Sequence, residues 1–368
     1  MKIAIIYNRE SRAVINLFGV PNREKYGLET IKKIRDALKK GGYKVRAFEG
    51  DKNIIKNLEE FMPAVIAGER PGLVFNLSYG IQGKSRYTHI PGLLEMLGIP
   101  YVGSGPETHA IALDKVVTKM ILLQRGLPTP RFAVLDCPGS ELKEKLAYPL
   151  IVKPKDEAVS FGLKIVHDEA ELLKGVQTIY DMFHGPTLVE EYIPGREINV
   201  GLLGNDPVEA LPPVELDFGK GVPIYTHEDK TRTSGRTVEK ICPALLTEEQ
   251  ASYCKALAVQ AFKSIGCYDS ARVDFRMDEK GNFHILEINS MASLRPESSY
   301  VYAADKIGLD YAALVNRLVE ITTKRYFRAP VPVNVKGKGG KTSQAIFDFL
   351  TIKRDKTEDE LRKWTNLS

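Results

Sequence analysis

The sequence lacks the features of a secreted protein held together by disulfides. Its 368 residues include only four cysteines, and no two of them have the spacing Cys-x-x-Cys. The six histidines form no pair with the spacing of zinc ligands. We therefore expect reduced thiols, no zinc site and a cytoplasmic location.

Long apolar runs and a strong charge of one sign are also missing. No apolar segment approaches the roughly 20 residues of a membrane-spanning helix. The amino-terminal "MKIAIIYNRE" becomes charged too early for a signal peptide. Lysine and arginine exceed the acids by only five, 52 against 47, and the two signs are interleaved. We expect no membrane and no nucleic acid among the partners.

What is present is the pattern of an α/β protein long enough for two or three domains. The segments "KIAIIY" and "GLVFNL" are continuous apolar runs, typical of parallel strands buried on both faces. Between them, "GLETIKKIRDALKKGG" has apolar residues at helical spacing and ends in a glycine pair. Later strands follow one another as in a meander, between helices capped by Asp168 and Thr247. The predicted fold class is α/β, with an α+β carboxyl-terminal half.

Two segments do not fit this pattern of regular elements. The stretch "NRESRAVINLFGVPNREKY" follows the first strand, and loops of that length in compact domains are usually functional or mobile. Residues 328–368 begin with the basic, proline- and glycine-rich "RAPVPVNVKGKGGK". This composition predicts a linker, followed by a tail with room for a protein partner.

The most informative chemical pattern lies in "SARVDFRM" and "NFHILEIN", which flank "DEKG" and predict a β-hairpin. Residues two apart share a face of a strand, so Arg272 accompanies Asp274, and Glu287 accompanies Asn289. A four-residue turn would place Arg272 opposite Glu287, with Asp274 diagonal to it. Two carboxylates and an amide oxygen then converge, and Mg²⁺ prefers such ligands. The alternative is an exposed hairpin with solvated charges, but the flanking residues are apolar.

Two other segments suit the nucleotide that such a metal would accompany. Lys153 ends the strand "PLIVKP" just before a loop with Ser160 and Gly162, whose backbone amides suit phosphate. The stretch "TLVEEYIPGRE" offers three carboxylates to an adenine edge and a ribose: Glu190, Glu191 and Glu197. Taken alone, each segment is more often a set of solvated charges than a nucleotide site.

Together these segments resemble the ATP-grasp superfamily, and within it the D-alanine–D-alanine ligase branch. The resemblance covers residues 1–325 and is carried in order by "GLLEMLGIPYVGSGP", "LDKVVTK…GLPTP", "PLIVKP", "LVEEYIPGREINVGLLG" and "ARVDFRMDEKGNFHILEIN". It implies three domains, with ATP between the antiparallel sheets of the second and third. The predicted amino-terminal domain, two ATP-clamping subdomains and tail span residues 1–110, 111–186, 187–327 and 328–368.

Residue by residue, the resemblance implies ATP as cofactor and a set of nucleotide contacts. The implied phosphate contacts are Lys115, Lys153, Lys230 and the loop of Ser160 and Gly162. The implied adenine and ribose contacts are Glu190, the backbone of Glu191 and Ile193, and Glu197.

The resemblance also implies a metal and a set of catalytic groups. Two Mg²⁺ ions, or Mn²⁺ in their place, are implied to bind Asp274, Glu287 and Asn289. The implied catalytic residues are Arg272 at the reacting carbonyl, Lys230 near the γ-phosphate, and Ser298, ahead of Ser299, for the acceptor carboxylate. The family's glycine pair and the glutamate after it have no direct match here, so Glu24 is the nearest candidate for orienting the first amino acid, and Glu10 is the second.

The departures from the family pattern lie on the substrate side. Val159 replaces the first serine of the phosphate loop, and Thr231 stands where a tyrosine is expected. A valine has no polar group, so the family's hydrogen-bonded set cannot form here. Arg295 and Glu297 add charges to the acceptor pocket. Three cations in "NLSYGIQGKSRYTH" favour a more negatively charged substrate, unless they are a solvated loop: Lys84, Arg86 and His89.

The sequence therefore predicts an ATP-dependent carboxylate–amine ligase that acts through an acyl phosphate on amino acids other than two D-alanines. Its expected partners are small carboxylates or amino acids, with a homodimer compatible with the family. Two alternatives stay open. One is an enzyme that activates a carboxylate for a cyclising or carrier-protein-bound amine, and the other is a nucleotide-binding regulator without turnover.

Overall fold

The computed structural model describes residues 1–9, 24–157, 160, 162–219, 224–226, 229 and 234–327. Three sheets follow one another along these residues, the first parallel and the other two antiparallel. The predicted fold class is confirmed. The predicted tail, most of the loop after the first strand, and Lys230 lie outside the described residues.

Four parallel strands form the first sheet: β1 (Lys2–Tyr7), β2 (Lys44–Glu49), β3 (Gly72–Leu77) and β4 (Tyr101–Val102). Their spatial order is β2–β1–β3–β4. Every residue of β3 is buried, which explains its continuous apolar sequence.

Helices cover both faces of this sheet. α1 (Leu28–Lys40) packs on one face through Ile31, Ile34 and Leu38, as its spacing predicts. The other face is covered by α2 (Ile54–Phe61), α3 (Pro63–Ile66) and α4 (His89–Met96).

The connection to the second sheet differs from the prediction. The stretch "HAIALDKVVTKMILLQRG" predicts one helix around residues 109–126, closed by Gly126. The structure instead has two helices, α5 (Pro106–Leu113) and α6 (Lys115–Gln124). Asp114 between them is extended, and its carboxylate accepts hydrogen bonds from the N–H groups of Val116 at 3.0 Å and Val117 at 3.2 Å. The prediction of a continuous helix is wrong, because this N-cap starts a new helix at Lys115.

The second sheet contains β5 (Phe132–Leu135), β6 (Leu150–Pro154), β7 (Lys164–Val166) and β8 (Thr187–Glu191), in the order β5–β8–β6–β7. α7 (Glu169–Phe183) covers one face. Its predicted cap is confirmed, since the Asp168 carboxylate accepts a hydrogen bond from the Glu171 N–H at 2.8 Å.

The third sheet contains β9 (Arg196–Leu203), β10 (Glu209–Ala210), β11 (Val214–Asp217), β12 (Glu239–Ile241), β13 (Ser270–Met277) and β14 (Phe283–Asn289). The order is β12–β11–β9–β13–β14, with β10 beside β9. α8 (Glu248–Ser264), which starts at the predicted Thr247 capping box, packs on one face.

The predicted hairpin of β13 and β14 is present, but its predicted register is wrong. The turn contains five residues, Asp278–Asn282, instead of the predicted four, because Met277 pairs with Phe283. The Asp278 N–H donates a hydrogen bond to the Asn282 carbonyl at 2.9 Å across this turn. A β-bulge beyond Asp274 shifts the pairing once more. As a result Asp274 pairs with Glu287, and Arg272 pairs with Asn289.

Two helices that the sequence pattern did not reveal end the described chain. α9 (Ser299–Lys306) packs on β9, and α10 (Tyr311–Phe327) packs on α1. They bring the end of the described chain back to the first sheet. None of the described helices is long and apolar enough to cross a membrane. The predicted domain boundaries stay predictions.

Candidate active site

Most of the predicted metal and catalytic residues lie on one face of the third sheet. Asn199 of β9 pairs with Asp274 of β13, and Asp274 pairs with Glu287 of β14. Two neighbouring pairs extend this face: Glu197 with Arg276, and Arg272 with Asn289. The sheet therefore places charged and amide side chains from three strands next to one another.

Asp274 is the centre of a hydrogen-bonded set. Its carboxylate accepts two hydrogen bonds from Arg272, at 2.6 and 2.7 Å, and one from the Asn289 amide at 2.9 Å. Burial disfavours the charged form of Arg272, but Asp274 outweighs burial and raises the pKa of the guanidinium. Arg272 is therefore a fixed cation beside the predicted metal ligands.

The hairpin residues fit a magnesium site. Asp274 and Glu287 face each other directly, and Asn289 adds an amide oxygen from the same face. Within the described ranges, no three His, Cys, Asp or Glu side chains form a group that could hold a metal. A set of two carboxylates and one amide suits Mg²⁺, which completes its coordination with phosphate oxygens and water.

Lys115 is presented by the first turn of α6. Its ammonium donates to the carbonyl of Glu157 and lies 3.8 Å from the Glu287 carboxylate. Its backbone N–H donates to the Lys155 carbonyl at 2.9 Å, and the Lys155 ammonium pairs with the Asp114 carboxylate at 2.6 Å. The predicted phosphate lysine therefore lies close to a predicted metal ligand.

Lys153 and Glu190 belong to a buried triad that also includes Lys119. The Glu190 carboxylate lies 2.6 Å from the ammonium of Lys153 and 2.6 Å from that of Lys119. Burial opposes the charge on Glu190, but the two lysines outweigh it and lower the pKa of the carboxyl group. Burial lowers the pKa of Lys119 to about 8. Two ammonium groups share one carboxylate, which leaves a surplus positive charge.

One predicted adenine contact, Ile193, lies on the strap, which we define as residues 192–195 between β8 and β9, and the other two, Glu190 and Glu191, end β8. Arg276 donates hydrogen bonds to the carbonyls of Ile193 at 3.0 Å and Gly195 at 2.9 Å, and to the Tyr192 hydroxyl at 3.1 Å. It also lies 3.8 Å from the Glu197 carboxylate. Arg276 thus fixes the backbone and the carboxylate that are predicted to contact adenine and ribose.

The predicted phosphate loop is described in part. Ser160 lines the same cleft as Lys153 and has a φ of 54°. Gly162 has a φ of 80°, and a Cβ there would lie 2.9 Å from the Phe183 ring. A glycine is therefore required at this position. Val159 and Thr231 lie outside the described residues, as does Lys230.

Two adjoining cavities are built from these elements. A narrow cleft of about 80 Å³ lies between the second and third sheets, and a larger cavity of about 620 Å³ lies beside it. The cleft is lined by most of the predicted nucleotide contacts, among them Lys153, Glu190, Ile193 and Glu197. Five residues line both spaces: Lys115, Asn199, Tyr225, Arg272 and Glu287. A group transferred from one space to the other would pass these residues.

The larger cavity contains both residues predicted for the substrates. Glu24 lines it, and so does Ser298. The Ser298 hydroxyl, however, caps α9: it accepts a hydrogen bond from the Val301 N–H at 3.3 Å and donates to the Ser293 carbonyl at 2.6 Å. Its predicted contact with an acceptor carboxylate would compete with this cap.

The three loop cations predicted to favour an anionic substrate are not among the described residues that line the cavity. Lys84 and His89 are exposed, whereas Arg86 is buried and pairs with Glu157 at 3.3 Å. The cations in the cavity wall are instead Lys115, Arg236, Lys240, Arg272 and Arg295.

The sequence analysis did not predict three residues of the site, although the spacing of each from a predicted site residue indicates its position. Lys119 follows Lys115 by four residues, so both lie on one face of α6. Asn199 follows Glu197 by two, and Arg276 follows Asp274 by two, which places each on the site face of its strand. The Asn199 side chain is 4% exposed, and its amide nitrogen has no hydrogen-bond partner among the described residues.

Known proteins are similar to this chain over the same segments that carry the resemblance in its sequence. A family model described as the D-ala D-ala ligase C-terminus matches residues 121–320, more than half of the chain. A D-alanine–D-alanine ligase of Pelotomaculum thermopropionicum is 33% identical over 314 residues, which cover 82% of this chain and 94% of the relative. An uncharacterised protein of Sinorhizobium fredii is 41% identical over 332 residues, which cover 89% and 98%.

Solved structures share the fold. The crystal structure of D-alanine–D-alanine ligase from Bacillus anthracis complexed with ATP aligns with a TM-score of 0.69. The alignment covers 88% of this chain and 98% of that chain, at 22% identity. The two molecules therefore share a fold.

Proposed function

Since the chain belongs to the D-alanine–D-alanine ligase family of ATP-grasp enzymes, we propose that it uses ATP to join a carboxylate to an amine. One observation carries this proposal. The narrow cleft and the large cavity meet at Lys115, Arg272 and Glu287. The family resemblance implies that these residues contact a phosphate, the reacting carbonyl and the metal, in that order. A nucleotide in the cleft would then present its terminal phosphate to a substrate in the cavity.

In the first step, a substrate carboxylate oxygen attacks the γ-phosphorus of ATP, and the bond to the β-phosphate oxygen breaks. The products are an acyl phosphate and ADP. Lys115 and Lys153 offset charge on the phosphates during this transfer, which depends mainly on positioning and charge neutralisation. Mg²⁺ held by Asp274, Glu287 and Asn289 would neutralise further phosphate charge.

In the second step, the amine nitrogen attacks the acyl carbon, phosphate leaves, and the nitrogen loses a proton. Arg272 lines both spaces, which suits it to stabilise the negative charge that develops on the acyl oxygen. Loss of one such donor typically costs about 2.7–4 kcal/mol of barrier. No nucleophilic side chain is needed, because the substrates themselves supply both nucleophiles.

The substrates we propose are amino acids other than two D-alanines. The support is the cavity wall, which includes two tyrosines, Tyr79 and Tyr87, and the charged Arg295 and Glu297. The cavity of about 620 Å³ falls in the range of about 300–1,000 Å³ that is usual for small-molecule sites.

The test is ADP release, screened over pairs of carboxylates and amines, with mass spectrometry of the products. For an active pair, we expect Asp274→Asn and Glu287→Gln each to lower kcat/KM by at least about 100-fold, since metal neutralisation supplies several kcal/mol. Glu279→Gln, in the exposed turn of the same hairpin, is the matched control and should stay within about twofold.

Two outcomes would count against the proposal. Near-normal activity in both metal-site variants would refute the metal assignment. Nucleotide binding without ADP release for any pair would favour the nucleotide-binding regulator.

A further inference from the structure

Asn199 is a buried polar side chain whose hydrogen bonds are incomplete. It lies on β9, is 4% exposed, and lines both the narrow cleft and the large cavity. Its amide nitrogen has no hydrogen-bond partner in the part of the chain that the structure describes. A buried donor without a partner is costly, and nearly all buried polar groups are hydrogen-bonded. An amide left open where two cavities meet therefore points to a ligand.

Ser299 fixes the orientation of this amide. The Ser299 hydroxyl donates a hydrogen bond to the amide oxygen of Asn199 at 3.0 Å. Ser299 is itself 4% exposed and is the first residue of α9, whose start is held by the Ser298 cap. Because the amide oxygen is engaged, the NH₂ group of Asn199 is the part that remains for a ligand. A donor that is already fixed loses little freedom when it binds.

The strand register places Asn199 in line with two predicted metal ligands. Asn199 pairs with Asp274, and Asp274 pairs with Glu287, so the three residues cross the sheet in one row. Arg272, the predicted contact of the reacting carbonyl, lies in the next row, opposite Gly201. Mg²⁺ at two carboxylates completes its coordination with phosphate oxygens. The row of Asn199 is therefore the row of a metal-bound phosphate.

β9 also orders these contacts along the nucleotide. Glu197, the predicted ribose contact, lines the cleft alone, whereas Asn199 lines the cleft and the cavity. Two residues of a strand span about 6.8 Å, so Asn199 lies one such step from the ribose contact towards the cavity. Lys115 and Arg272 line both spaces as well. Donors from α6, β9 and β13 thus meet at the junction, and a phosphoryl group offers three oxygens to them.

We propose that the Asn199 NH₂ group donates a hydrogen bond to the terminal phosphoryl group of ATP, with Ser299 as the positioning residue that orients it. The inference rests on the proposed function for the presence of ATP in the cleft. Asn199 carries no charge, so its bond adds direction to the attraction that Lys115 supplies. It holds the phosphoryl group between the nucleotide and the substrate carboxylate. ADP lacks this group, so the bond is made with ATP alone.

Isothermal titration calorimetry tests this inference without turnover. With Mg²⁺ present, Kd is measured for ADP and for a non-hydrolysable ATP analogue. The ratio of the ADP value to the analogue value reports contacts with the terminal phosphate. For Asn199→Ala we expect this ratio to fall by about 10- to 100-fold, the range for a hydrogen bond to a charged group. The Kd for ADP should stay within about threefold of the wild type, which also shows that the variant is folded.

Further variants separate hydrogen-bond donation from packing. Asn199→Asp keeps the size of the side chain and the bond from Ser299 but has no donor, so the ratio should fall at least as far as in Asn199→Ala. Ser299→Ala should lower the ratio by about threefold, and adding it to Asn199→Ala should change nothing further. Asn53→Asp, the same change at an exposed position before α2, is the control and should keep the wild-type ratio.

A wild-type ratio in both Asn199 variants would overturn the inference. If those variants instead need more Mg²⁺ to bind either nucleotide, at an unchanged ratio, Asn199 is a metal ligand and the inference is equally refuted. Failure of the proposed function has a different signature: the ratio falls as expected, but no pair of carboxylate and amine supports ADP release. ADP release with an unchanged ratio would leave the proposed function standing and this inference refuted.

Discussion

At the residue scale, Glu190 lies between two ammonium groups with almost no access to solvent. It is 2% exposed, and Lys119 is 1% exposed. A buried carboxylate needs a partner, and one lysine would be enough to neutralise it. We therefore interpret Lys119 as a positioning residue, which keeps Glu190 paired when Lys153 turns to a phosphate.

This interpretation predicts the effect of Lys119→Met. With one lysine removed, Lys153 is held by Glu190 alone, so we expect KM for ATP to rise about tenfold with kcat little changed. Burial lowers the pKa of Lys119 to about 8, so the surplus charge is lost as the pH rises through that value. Wild-type KM for ATP should therefore increase above pH 8, and Lys119→Met should lack this dependence.

Steady-state kinetics between pH 7 and 9.5 will measure both effects. Lys56→Met, which removes a surface lysine 4.0 Å from Glu60, is the control and should match the wild type. A variant with normal KM and the wild-type pH profile would show that Lys119 has no role in nucleotide binding.

At the element scale, a β-bulge decides which side chains of β14 reach the site. Phe283 and Ile285 point into the core, and strict alternation would send Glu287 there as well. The bulge opposite Asp274 inserts one residue, so Leu286 and Glu287 both line the nucleotide cleft. Without it, Glu287 and Asn289, two of the three predicted metal ligands, would lie on the core face of the sheet.

The strap between β8 and β9 is a second element whose position depends on one side chain. Arg276 is 3% exposed and makes three hydrogen bonds to the strap. For Arg276→Met we expect KM for ATP to rise about tenfold, with KM for the amino acid unchanged. The preference for ATP over GTP should fall as well, because the strap no longer holds its backbone against the base.

Kinetics with both nucleotides will test this prediction. Arg131→Met is a matched control, since Arg131 pairs with Glu191 at 3.2 Å beside the strap but is 64% exposed. Such a surface pair contributes about 0–1 kcal/mol, and the control should change KM less than twofold. Equal effects of the two substitutions would argue against a specific role of Arg276.

At the scale of the whole molecule, Asp269 links three distant parts of the fold. Its buried carboxylate accepts hydrogen bonds from the Gly103 N–H at 2.9 Å, after β4, and from Thr322 and Arg325 of α10, each at 2.8 Å. Asp269 itself precedes β13. The first sheet, the third sheet and the last described helix thus share one charged centre.

Asp269→Asn tests how much this link contributes to stability. Asparagine tolerates the positive φ of 65° at this position, so the change removes the charge and leaves the backbone conformation accessible. Loss of one partner from a buried ion pair typically costs about 3–5 kcal/mol, and we expect the free energy of unfolding to fall by that amount.

Chemical denaturation followed by circular dichroism will measure the change. Asp305→Asn, at an exposed position of α9, is the control and should stay within about 0.5 kcal/mol of the wild type. A similarly small effect of Asp269→Asn would show that Arg325 and its neighbours adjust to the loss.

The sequence alone determined the class of fold and the family, and it predicted residues that the structure places around two adjoining cavities. Apolar runs, helical spacing and the caps at Asp168 and Thr247 depend only on residues that are close in the sequence, so they can be recognised without knowledge of the fold. The candidate nucleotide and metal residues could be proposed because short motifs keep their order along the chain. Of these, Lys230 remains a prediction, and so do all the assigned roles.

Only the tertiary structure decided how these residues are paired. Lys119 with Glu190, Arg276 with the strap, and Asp269 with Arg325 are 71, 83 and 56 positions apart. A buried charge needs a partner, but no sequence rule states which distant element supplies it, because packing of whole elements makes that choice. The register of the β13–β14 hairpin could not be predicted for a similar reason. A one-residue bulge moves the side chains that follow it to the opposite face of the sheet, and the amino-acid composition does not reveal where such a bulge occurs.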